Sequence, residues 1–96
     1  MTVDEMIELF EKDDEYYFEF DKIENKRSNR SDLHVFLLLD SLCPGKSRII
    51  AGAEHDEIFL EPSLEDLAKV ITKDQVIELR RCGVMIWEGE GLAMFA

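Results

Sequence analysis

The residues of this chain best equipped for chemistry are its two histidines and the carboxylates near them. Glu54-His55-Asp56-Glu57 sets an imidazole among three carboxylates, a combination that can bind a metal or relay protons. The spacing argues against that use. Neighbouring side chains on a strand point to opposite faces, so His55 and Asp56 cannot both turn to one ion without a bend. The i, i+4 histidine pair of a helical zinc site is missing. The plainer reading is a polar turn entering a strand. His34 stands on an apolar run with Asp40 six positions on, and reads as a partly buried histidine bonded to backbone. The chain has no Ser-His-Asp order, no glycine-rich phosphate loop and no CxxC. No catalytic residue, metal or cofactor is assigned.

Charge is the second signal. The formal net charge is −11, and it is unevenly placed. Residues 1–21 hold nine acids and one base, and residues 49–66 hold six acids and no base. Residues 22–48 reverse the balance with six bases and three acids. Such fields oppose nucleic acid and anionic membrane and favour a basic partner. Asp13, Asp14, Glu15, Glu19 and Asp21 are the candidate contact residues, a surface that can imitate the phosphate rail of DNA. The alternative is a solvated helix face with acids at its start. Lys22, Lys26, Arg27 and Arg30 form a small basic cluster, with Lys22 expected to pair Glu19 or Asp21.

The elements that must position these residues are readable in part. Ninety-six residues fit one domain over 1–96, with a small core. Thr2-Val3-Asp4-Glu5 is a capping box, and Val3, Met6, Ile7 and Phe10 continue at helical spacing, predicting a helix over about 3–12. Residues 13–25 fit both a strand and a helix, and Ile23 favours the helix. Ser31 or Asp32 caps a helix running to Leu42, apolar on most of its circumference and therefore expected to be central. Ile49-Ile50-Ala51 is β-compatible, and Glu57-Ile58-Phe59-Leu60 is a clearer strand. Ser63 caps another helix. Thr72-Lys73-Asp74-Gln75 is a second capping box, and Gly83 stands where a helix-terminating glycine belongs.

The chain ends in a hairpin signal: Val84–Glu88 and 91–95 flank Gly89-Glu90, a two-residue loop suited to a type II′ turn. Trp87 and Met85 share one face of that strand, Val84 and Ile86 the other. Both faces are apolar, so Trp87 is expected to be partly exposed and covered by a partner or in a homodimer. The expected fold is α+β, with helices on one face of a small, mainly antiparallel sheet of three or four strands ending in the C-terminal hairpin. Cys43 and Cys82 share no motif and read as free thiols rather than a redox pair. The start lacks the basic and apolar stretches of a signal peptide, and the longest apolar run is Val35–Leu39, which points to the cytoplasm.

Three segments carry a resemblance: Ser31-Asp32-Leu33-His34-Val35-Phe36-Leu37-Leu38-Leu39-Asp40, residues 49–60, and Leu79–Val84 with Leu92–Phe95. The chain resembles small acidic proteins encoded by bacteriophages and prophages. That resemblance implies an accessory protein that binds and redirects or inhibits a host protein, anti-CRISPR proteins being one such class. With the charge, the expected target is a basic host protein, such as a nucleic-acid-binding protein or a CRISPR effector. It carries over no site residues. Two alternatives stand beside it: a small metal-dependent enzyme centred on Glu54–Glu57, and a homo-oligomeric structural phage protein.

Overall fold

The computed structural model describes residues 1–12 and 16–95. Helix α1 (Val3–Glu11) is followed by a single 3₁₀ turn (Phe20–Lys22), then α2 (Ser31–Leu42), β1 (Ile50–Glu54), β2 (Glu57–Leu60), α3 (Leu64–Ala68), α4 (Lys73–Arg81), β3 (Met85–Trp87) and β4 (Gly91–Phe95). The strands form one antiparallel sheet in the order β1-β2-β4-β3. The α+β class and the C-terminal hairpin are as expected, and the fourth strand is β1.

Side-chain capping starts three of the four α-helices among the described residues. Thr2 and Thr72 each accept the N3 amide, and Glu5 and Gln75 return the bond to the cap amide. Ser63 accepts from Asp66 N–H at the start of α3. Each such cap stabilises by about 1 kcal/mol. α2 differs from expectation. Its cap is Arg30, without a side-chain bond, and Ser31 is already helical. The Asp32 carboxylate instead accepts from its neighbour Leu33 N–H at 2.8 Å.

Residues 16–25 correct the sequence reading of 13–25. They hold a turn and the 3₁₀ turn rather than an α-helix; Asp13, Asp14 and Glu15 lie outside the described residues. Phe18 has φ +60°, which a continuing right-handed helix cannot accommodate. Its N–H donates to Arg80 carbonyl at 3.3 Å, so tertiary contact with the end of α4 outweighs the local helical period.

That end of α4 is a complete Schellman motif. Gly83 N–H bonds Arg80 carbonyl, and Val84 N–H bonds Leu79 carbonyl. Gly83 takes φ +89°, and a Cβ there would stand 2.5 Å from the Phe18 ring. Val84 is thus the end of the cap, and β3 begins one residue later. The hairpin turn also shifts by one. Glu90 N–H donates to Trp87 carbonyl, and the central residues Glu88 and Gly89 both have positive φ, the pattern of type I′ rather than II′. Gly in the second central position and an acid in the first explain the choice.

One buried cluster joins Met6 and Phe10 of α1, Val35, Leu38 and Leu39 of α2, Val76 and Leu79 of α4, and Leu60, Leu92 and Met94 of the sheet. The sheet contributes alternate residues, as the register Ile58↔Met94 and Leu60↔Leu92 requires. α2 is not wrapped on all sides. Val35, Leu38 and Leu39 face the cluster, while Leu33 and Leu37 are exposed. No helix among the described residues is long and apolar enough to cross a membrane.

Candidate interaction surfaces

The sheet has a second, outer face built by the other half of the alternation. Phe59, Ala93 and Met85 stand in register across β2, β4 and β3, and Trp87 pairs Gly91 beside them. Phe59, Met85 and Trp87 are half-buried and are not part of the core cluster. The small residues of β4 make this possible. Gly91 and Ala93 leave room for rings from the flanking strands to meet above them. Phe59 and Trp87 do so edge-to-face, with centroids 5.0 Å apart. Ala93 is fully buried beneath this layer. Trp87 therefore sits where the alternation of β3 places it, half-covered by Phe59.

Acids border this face at both ends. Glu54 and Glu57 pair across the first hairpin, and Glu88 and Glu90 lie in the second. The four strands and their two hairpin turns contain no Lys or Arg. The apolar patch thus meets solvent through carboxylates alone on its strands, a composition that suits a basic, partly apolar surface.

The N-terminal acids are less uniform. Glu19 is held by Lys22 at 2.7 Å, as the spacing suggests. That bond, together with the Glu19 charge, raises the Lys22 ammonium above its ordinary range. Asp21 is exposed, but Lys26 Nζ reaches its carbonyl at 3.3 Å. Arg81 Nη1 bonds Lys22 carbonyl, and its guanidinium stacks over Tyr16 at 5.3 Å. Glu19 and Asp21 are therefore interleaved with cations rather than forming an unbroken acidic rail.

His55 occupies the first position of the two-residue turn between β1 and β2, with φ +56°. Its ring is 87% exposed, and Nε2 is 3.9 Å from Glu54 Oε1. The turn spreads its side chains outward, and no group of three His, Cys, Asp or Glu able to hold a metal occurs among the described residues.

His34 is the polar residue the sequence undervalued. It is fully buried. Nδ1 accepts from Arg27 N–H at 3.0 Å, Nε2 lies 3.2 Å from Glu78 Oε2, and the ring meets Phe20 edge-on. The backbone partner was legible in outline; the Glu78 partner, 44 residues away, was not. Glu78 also lines a polar recess of about 420 Å³ with Asp74, Asn25, Lys22, Arg81 and Tyr16. Three carboxylates including Glu24 and two cations share its wall, so no single charge dominates it.

Both cysteines are free thiols. Burial, and then the charge of Glu78, push Cys82 up to about 12. Burial, with Asp66 and Glu61, also raises Cys43. Neither has the electropositive surroundings of a reactive thiolate. Comparison with protein-family models, with curated proteins and with solved structures yields no match.

Proposed function

We propose that this chain is a non-enzymatic binding protein that docks a basic, partly apolar protein on the outer face of its sheet. The observation that carries the reading is the Phe59–Trp87–Met85–Ala93 layer, which stands outside the core and is bordered on its strands only by carboxylates. Trp and Met are residue types enriched at the centres of interfaces, and aromatic anchors ringed by polar groups are the usual energetic foci. A second copy on this face would bring Glu54, Glu57, Glu88 and Glu90 near their own equivalents, a like-charge repulsion that favours a basic partner over a homodimer. The nine acids of residues 1–21, Asp13, Asp14 and Glu15 among them, add to the negative charge of the chain and would speed association with a basic partner. The resemblance to phage accessory proteins supplies the context: a host protein whose basic groove serves nucleic acid, to be modulated or inhibited.

The test is affinity capture from prophage-bearing cells with three baits: wild type, Trp87→Ala, and the Glu57→Lys/Glu88→Lys/Glu90→Lys variant. A basic protein held by wild type and lost by both variants supports the reading, and its association should weaken with salt. Asp13→Lys/Asp14→Lys/Glu15→Lys should slow that association while the fold survives. A partner retained equally by all the baits removes the outer face from the interface. Duplex DNA should not bind at physiological salt; a salt-sensitive micromolar complex would overturn the charge argument.

A further inference from the structure

The helical layer does not cover the whole inner face of the sheet. Beside the start of α2 it leaves an open groove of about 580 Å³, within the roughly 300–1,000 Å³ typical of small-molecule sites. Its walls are Phe18, Phe36, Ile50, Ile58, Met94 and Phe95. Phe18 is 61% exposed and Phe95 45%, so large apolar groups stand in water at the groove. The chain maintains Phe18 there in the unfavourable left-handed region, at φ +60°. Gly83 makes the placement possible, because any Cβ would strike that ring.

The polar lining residues gather at one end. Arg30, Ser31 and Asp32 line the groove where α2 begins. The Asp32 carboxylate is engaged by Leu33 N–H. The Arg30 guanidinium forms no ion pair among the described residues. The groove therefore offers an apolar trough whose polar end carries a guanidinium without an ion pair among the described residues beside a carboxylate hydrogen-bonded to backbone.

We infer that this groove binds an aliphatic carboxylate, with the chain along Phe36, Ile58 and Met94 and the carboxylate on Arg30. The Arg30 fork selects a carboxylate by pairing geometry, because guanidinium and carboxylate form strong charge-assisted hydrogen bonds; with Asp32 at the same end, net charge does not make the selection. The apolar walls select the chain. The site is distinct from the outer face proposed for a protein partner, and Met85 and Met94 report on the two separately.

The experiment uses protein labelled with ¹³C at the methionine methyls and titrated with decanoate, octanoate and decanol. Decanoate should shift the Met94 methyl saturably and leave Met85 unmoved. Octanoate, two methylenes shorter, should bind roughly fifteenfold more weakly, since each buried methylene contributes about 0.8 kcal/mol, or roughly fourfold. Decanol should bind about tenfold more weakly than decanoate, the value of one hydrogen bond to a charged group. Arg30→Gln, at an exposed position, should abolish that difference without altering the fold. Phe18→Asn, which tolerates positive φ, should weaken all three ligands. The proposal fails if Met94 does not move at millimolar decanoate, if Met85 moves instead, or if decanol equals decanoate in the wild type. Movement of Met94 only when a basic protein partner is added would assign the groove to a macromolecule and likewise overturn it.

Discussion

Nε2 of His34 lies 3.2 Å from Oε2 of Glu78 and ties α2 to α4 inside the protein. The other ring nitrogen fixes the tautomer. Nδ1 accepts from Arg27 N–H, so the ring hydrogen is on Nε2 and is donated to the carboxylate. One side chain thus holds two helices and the basic loop that precedes α2.

His34→Ala should cost about 2–4 kcal/mol, because it opens a cavity and strands a buried amide. Glu78→Gln keeps an acceptor and should cost about 1 kcal/mol. Urea unfolding of both single variants and the double measures the coupling. Additive losses would mean that the pair does not act as a unit.

Gly83→Ala should destabilise by about 2–3 kcal/mol, combining the left-handed backbone with the collision against Phe18. Adding Phe18→Asn should recover the collision and leave about 1 kcal/mol. If the double variant is no more stable than Gly83→Ala, Phe18 does not rest on Gly83 in solution.

Cys82, pushed up to about 12 by burial, should resist alkylation in the folded protein at pH 8. Its thiolate fraction there is roughly one in ten thousand. Cys43, less deeply placed, should label first. Mass spectrometry before and after unfolding distinguishes the two thiols, and equal labelling rates in the native state would contradict the packing around Cys82.

The Glu5 carboxyl is held below its ordinary range by the backbone N–H of Thr2 and then by the Thr2 side chain. A folded value below the unfolded one means that the contribution is present above the unfolded carboxylate range. It is lost as pH falls through the folded value. The stability gap between wild type and Glu5→Gln should therefore be present at neutral pH and close under acid. A gap independent of pH would show that the carboxylate plays no part in the cap.

Local chemistry determined much of this protein from sequence alone. Thr2, Ser63 and Thr72 start their helices through bonds within three residues, and Gly83 ends α4 through φ +89°. The same holds for the clear strand at 57–60 and the approximate position of the last hairpin, since alternation and turn chemistry are short-range. Tertiary structure decided the rest. Residues 16–25 carry a helical period, but Phe18 is held in the left-handed region by Arg80 and seated on Gly83, both more than sixty residues away. Apolar residues surround α2, but only packing could leave Leu33 and Leu37 outside and bury His34 against Glu78. The apolar character of both faces of β3 was visible in Val84, Met85, Ile86 and Trp87. That Phe59 would share the outer layer across two small β4 residues depended on the strand order β1-β2-β4-β3, which no local pattern encodes.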